Sequence, residues 1–249
     1  MSINIIRIIF IFLIIFVLYN QYKIMYDPIV PTRHILFTRY KELDMSIILE
    51  PYINQKNTKV FIYNKGDDLP IGIPTTARNI KIINMENIGW DSYAYLSHVI
   101  KNYNDLPDFI YSLHASAQYT DWKKFVYDNI LSKDNSVYFY GGEVFNDTLD
   151  FQLDNWSASH DLNRKYSPTN EYVISSIRPL GKWLATKVNI IYPSTDNIIH
   201  CNYGGMFKVH KSRILRYPLD FYENLLKEIS VWQSEVNHYL ERSWFTLYN

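Results

Sequence analysis

Five short clusters hold the side chains that can bind or react. Thr38-Arg39-Tyr40-Lys41-Glu42 sets a guanidinium beside a phenol, a pair suited to gripping a phosphate and stacking on a base. A solvated loop is the other reading of the same residues. Tyr63-Asn64-Lys65-Gly66-Asp67-Asp68 offers Lys65 as a phosphate contact and Asp67/Asp68 as either a metal pair or a turn before Leu-Pro. Asn87-Ile88-Gly89-Trp90-Asp91 precedes a helical pattern. Helix amino ends receive anions, Gly89 lets a ligand approach the backbone, and Asn87 and Asp91 match sugar hydroxyls; an ordinary cap and turn is the alternative. His114-Ala115-Ser116 closes an apolar run and aims an imidazole at whatever cleft lies there. Near the carboxyl terminus, His238-Tyr239-Leu240-Glu241-Arg242-Ser243-Trp244 puts an acid beside a base, either a working pair or a surface ion pair.

Other chemistries are excluded or poorly supported. No HExxH, G-x-S-x-G, P-loop or G-x-G-x-x-G occurs, and the histidines lack metal-ligand spacing. With 25 Lys+Arg against 25 Asp+Glu among 249 residues, the chain lacks the positive excess that nucleic-acid binding requires. The single cysteine, Cys201, excludes an internal disulfide framework. The basic run Lys208, His210, Lys211, Arg213 and Arg216 reads as a solvated helix face, with phosphate contact as the lesser alternative.

The elements that must position these clusters alternate. His34–Thr38, Lys59–Tyr63, Asn79–Asn84 and Asp108–Leu113 read as strands, as does Asn202–Val209. Asp44–Tyr52, Asp91–Tyr103, Trp122–Leu131 and Pro218–Ile229 read as helices, with Asp91 in the N-cap region of the second. Alternating strands and helices imply an α/β fold with a mixed or parallel sheet, whose ligands sit beyond the carboxyl ends of the strands. Four of the five clusters follow strands or open helices there.

The amino terminus is different. Ile8 to Tyr19 is an uninterrupted apolar run, short for a full span of roughly 20 residues. No small-residue cleavage site follows it, so an uncleaved signal-anchor is expected over residues 1–26, with a linker over 27–32 and one domain over 33–249. A single-pass membrane protein follows, of the endoplasmic reticulum or Golgi, or of a viral or host membrane. The sequons at Asn146 and Asn155 are usable only in a lumenal domain.

In order along the chain, TRYKELDMSII, IYNKGDDL, NIGWDSYAYLSHVIKNYNDLPDFIYSLHAS, GGMFKVHKSRILRYPLDFYENLL and HYLERSW resemble a glycosyltransferase-like family of largely unknown function, with viral, fungal and bacterial members. The match runs from about Arg33 to Tyr248. The family's Asn-x-Gly-Arg-Glu, Tyr-Leu and Tyr-x-x-Leu-Pro-Asp pattern is met at Asn87, Gly89, Tyr95, Leu96, Tyr103, Leu106, Pro107 and Asp108. It departs at Trp90, where the family has Arg, and at Asp91, where it has Glu. The resemblance implies a nucleotide-diphospho-sugar (GT-A-like) fold with a mixed sheet flanked by helices. It also implies transfer of a sugar from a nucleotide-sugar to a glycan or protein hydroxyl. Donor-binding residues would then be Arg39, Tyr40, Lys65, Asn87, Gly89 and Asp91. His114 would lie at the donor–acceptor junction, and Glu241 would be the base. Gly204, Gly205, Arg242 and Trp244 would line the acceptor side. Such enzymes often hold Mn or Mg on an Asp-x-Asp motif, which is missing after Leu113. A non-catalytic, membrane-tethered sugar-binding or assembly protein of the same fold is the alternative.

Overall fold

A computed structural model describes residues 12–18, 30–119, 121–132, 138–139, 143–145, 148–153, 173–191, 199–201, 205–232 and 234–248. The chain divides into two compact units, Met1–Pro31 and Thr32–Asn249.

Within the first unit, residues 12–18 are helical and every one is exposed. The rest of the expected 1–26 anchor lies outside the described residues. Among the described residues no helix is long and apolar enough to cross a membrane.

The second unit is α/β. Strands β1 (Arg33–Arg39), β2 (Thr58–Asn64), β3 (Ile80–Asn84), β4 (Phe109–His114), β5 (Tyr138–Phe139) and β8 (Phe207–His210) form one sheet in the order β3-β2-β1-β4-β8-β5. Strands β6 (Glu143–Phe145) and β7 (Ile199–Cys201) form a separate antiparallel pair. The first four strands of the large sheet are mutually parallel, and β8 pairs antiparallel with both β4 and β5. After β1 the chain moves outward to β2 and β3, then returns to the other side of β1 as β4. That reversal puts a topological switch point between β1 and β4, where doubly wound sheets open a crevice at the carboxyl ends.

The side-chain alternation of β1 explains why both faces are covered. Ile35 and Phe37 enter one core with Met45, Leu49, Ile62 and Leu113, beneath the short helix α1 (Ser46–Leu49). Leu36 enters the other core, with Tyr95, Val99, Val209 and Leu225. That larger core lies under α2 (Trp90–Asn102), α4 (Leu180–Trp183), α6 (Leu219–Ile229) and α7 (Glu235–Tyr248), while α3 (Asp121–Ser132) contributes Tyr127 and Ile130 to the smaller one. A strand buried on both faces reads as continuous apolar sequence, as HILFT does.

Several expected elements need correction. The strand expected over Asn202–Val209 begins only at Phe207; residues 202–204 lie outside the described set. The basic run is no solvated helix face at its start, because Lys208 lies in β8, 2% exposed, over the rings of Phe109 and Tyr111. His210 caps the short helix α5 (Lys211–Ile214) by accepting from Ser212 N, and Lys211 pairs with Asp108 at 2.8 Å. Gly89, rather than Asp91, is the N-cap of α2, in the left-handed region and with no side-chain cap. The sequons at Asn146 and Asn155 lie outside the described residues.

Candidate functional site

The carboxyl ends of β1, β2 and β4 meet the amino end of α2 at the switch point. Here Asp91, in the first turn of α2, approaches His114, the last residue of β4. His114 Nε2 lies 2.7 Å from Asp91 Oδ2, a close contact off the axis of the ring N–H, and both side chains remain partly open to solvent. Gly205 covers the pair with bare backbone. A Cβ at this position would stand 3.5 Å from His114 Nε2 and 3.6 Å from Asp91 Oδ2, and its φ of +64° is one that glycine adopts without strain. A carboxylate and an imidazole in contact can orient one another and move a proton to or from a bound group.

The loop that delivers Asp91 is under backbone strain. Trp90 has φ +47°, rare for a bulky residue. Lys65, at the end of β2, holds this turn by donating to the carbonyls of Ile88 and Trp90. Burial draws its ammonium down to about 8, against an opposing pull from Asp91. Lys65 therefore faces inward and positions the loop; the phosphate contact expected of it from sequence is not how the structure uses it. Gly89 is obligatory here for a second reason, since a Cβ would come within 2.6 Å of the Ile229 carbonyl oxygen.

Arg39 requires the same correction. It is fully buried and commits four of its five N–H groups to protein acceptors. Nε donates to Glu42 O, Nη1 to Asn64 Oδ1 and Asp68 O, and Nη2 to Asp68 Oδ2 at 2.9 Å. The guanidinium holds the Asp68 carboxyl below its usual range. Arg39 thus engages one oxygen of the Asp67/Asp68 pair, and among the described residues no group of three His, Cys, Asp or Glu side chains is placed to hold a metal. Tyr40, by contrast, is exposed just beyond the carboxyl end of β1. Asn87 is half-buried.

The carboxyl-terminal cluster divides. Trp244 is not on an acceptor surface: it is 1% exposed and stacks 5.8 Å from Tyr248 within a core of Tyr95 and Phe207. Arg242 is buried too, over the Phe151 ring at 3.8 Å, with Nη1 donating to His238 O. Only Glu241 of the three reaches solvent, 3.7 Å from the Arg242 guanidinium. Gly204 lies outside the described residues.

Two arrangements were not anticipated from the sequence. Asn64 is buried and ties Arg39, Gly66, Asp68 and Asn84 together, setting the loop after β2. Glu235, fully buried at the start of α7, accepts from Leu153 N and Ser175 N and pairs with Arg178 at 3.0 Å. Asn64 ended a strand and Glu235 opened a helix whose pattern was not read, so neither carried a local signal.

The chain matches no protein-family model and no curated protein.

Proposed function

We propose that the protein is a membrane-anchored glycosyltransferase that moves a sugar from a nucleotide-sugar to a glycan or protein hydroxyl, on a GT-A-like version of its α/β fold. One observation carries the proposal: the Asp91–His114 pair, 2.7 Å apart and with side chains 28% and 12% exposed, at the switch point of a β3-β2-β1-β4 parallel sheet. The ordered motifs that resemble a glycosyltransferase-like family support the same reading. His114 accepts the proton of the attacking hydroxyl, and Asp91 orients its ring. Such a base contributes about 10²–10⁴ in rate. Asn87 supplies an amide for donor hydroxyls, and Tyr40 a face for the base. Because Arg39 and Lys65 turn inward, the uncapped amino end of α2 is the positive group nearest the leaving diphosphate. Among the described residues no group of three His, Cys, Asp or Glu side chains is placed to hold a metal, and no step here runs through one.

The same inward turn of Arg39 and Lys65 favours a second reading, a tethered sugar-binding protein without turnover. A thermal-shift screen of the full chain in detergent against nucleotide-sugars separates the two. A donor at 100 times its Kd stabilises by about 2.7 kcal/mol, or roughly 5–10 °C at this size. A shift with product formation supports the enzyme, a shift without product supports the binder, and no shift with any donor defeats both.

A further inference from the structure

Away from the site described, a chain of buried polar groups ends at a cavity. The Tyr63 hydroxyl lies 2.7 Å from His98 Nδ1, and His98 Nε2 lies 2.9 Å from His34 Nδ1. Burial keeps both rings neutral near pH 7, helped by Lys59 and Lys101 and opposed at His34 by Asp105, so each ring carries one proton. Among the described residues Tyr63 has no second hydrogen-bond partner, so its hydroxyl proton is satisfied only by donating to His98 Nδ1. His98 then carries its proton on Nε2 and donates it to His34 Nδ1, which leaves the His34 proton on Nε2. His34 is 6% exposed, and its Nε2 is neither enclosed nor taken by a protein acceptor among the described residues. The chain thus ends in a neutral donor, held in one direction and left unengaged.

His34 lines a cavity of about 380 Å³ at the amino end of the sheet, away from the Asp91–His114 end. Arg33 of β1, Lys59 of β2, and Asp105, Leu106 and Pro107 after α2 share its wall, all within the second unit. His34 and Lys59 are partners in the β1–β2 register, so their side chains leave the same face of the sheet. Arg39 and Lys65 engage protein acceptors, whereas among the described residues the side chains of Arg33 and Lys59 engage none.

We propose that this cavity is a second ligand site, binding a phosphate group, free or as the monoester of a small polyhydroxy molecule, through His34 Nε2–H, Arg33 and Lys59. Two cations and a neutral donor match an anion with two charges and several acceptor oxygens, which a phosphate has and a monocarboxylate lacks. Asp105, the acid in the wall, is an acceptor for hydroxyls on the body of an ester, and Leu106 and Pro107 give that body an apolar wall. The inference stands apart from the glycosyltransferase reading, because it uses none of the residues at the carboxyl end of the sheet.

The full chain in detergent is titrated by calorimetry with glycerol phosphate, inorganic phosphate and glycerol at about 0.1 M salt. Both phosphates are expected to bind and glycerol is not; tighter binding of glycerol phosphate assigns the ester, and equal binding the free ion. Lys59→Met should weaken binding about fivefold and Asp105→Asn should tighten it about threefold. Both side chains are exposed, so the melting temperature should not move. Tyr63→Phe touches nothing in the cavity but releases the His98 tautomer, and should weaken binding about threefold. Asp91→Asn, at the other end of the sheet, should change nothing. No binding of either phosphate, equal binding of glycerol, or affinities indifferent to the Lys59, Asp105 and Tyr63 variants would overturn the inference. So would loss of binding in Asp91→Asn, which would place the phosphate at the carboxyl end instead.

Discussion

The two ends of the parallel sheet both carry histidines, and they are put to opposite uses. At the carboxyl end, His114 meets a carboxylate and keeps a partly open face. Toward the amino end, His34 Nδ1 and His98 Nε2 are 2.9 Å apart, and the Tyr63 hydroxyl lies 2.7 Å from His98 Nδ1, so both nitrogens of His98 are occupied. Both side chains are buried, His98 completely. Burial holds His34 down at about 4, helped by Lys59, and His98 at about 3, helped by His34 and Lys101. Burial also lifts Tyr63 well above its usual range. An imidazole becomes a proton carrier where it has an acid partner and access to a ligand. Where its partners are other neutral groups in a dry interior, it is a fixed hydrogen-bonding strut.

The largest effect expected from this contrast is on turnover at the open end. His114→Gln should lower donor-dependent product formation by about 10²–10⁴-fold while leaving the melting temperature nearly unchanged. At the sealed end, His98→Ala should do the reverse. Removing the central ring orphans His34 and Tyr63 and leaves a cavity, costing about 2–4 kcal/mol in denaturant unfolding, with turnover per folded molecule retained.

Lys65→Met should fall between the two. The carbonyls of Ile88 and Trp90 lose their donor, the strained turn relaxes, and Asp91 is aimed less accurately. A turnover loss of roughly 10-fold is expected in single-turnover kinetics. Rescue by Lys65→Arg would be incomplete, since a planar fork does not replace a compact ammonium between two carbonyls.

Acid stability gives a separate test of the sealed end. His34 and His98 are neutral in the folded chain and ionise near 6.5 when unfolded, so the unfolded state binds more protons on acidification. Stability is insensitive to these groups above about pH 6.5 and declines as pH falls toward 4 and then 3. His34→Gln should flatten that decline in equilibrium unfolding measured between pH 7 and 4; an unchanged slope would show that His34 ionises alike in the folded and the unfolded chain.

Much of the sheet was legible because β1, β2 and β4 are buried on both faces and so are apolar without interruption. Helix α2 was legible from Tyr95, Leu96 and Val99 on one side. Helix α7 was not, although 11 of its residues are buried, because Glu235, Asn237, His238, Arg242 and Ser243 are among them and break the apolar period. For the site, residue types were legible and side-chain directions were not. Arg39 and Lys65 stand at the expected strand ends, yet Arg39 is turned inward by Asn64 and Asp68, 25 and 29 residues away, and Lys65 by the carbonyls of Ile88 and Trp90 at the start of α2. Local sequence shows a cation but not the distant acceptor that captures it. Asp91 and His114 were each singled out, while their contact depends on how β4 and α2 meet across β1, which no spacing in the sequence contains.

The central claim is that Asp91 and His114 act as one unit on a sugar acceptor, and a double-substitution cycle on the full chain tests it most directly. Product formation from the donor found in the thermal-shift screen is measured for wild type, Asp91→Asn, His114→Gln and the pair. The account predicts that His114→Gln alone loses nearly all the rate enhancement and that adding Asp91→Asn costs almost nothing more, as for residues acting together. Wild-type turnover that survives both substitutions, or losses that simply multiply, would contradict it.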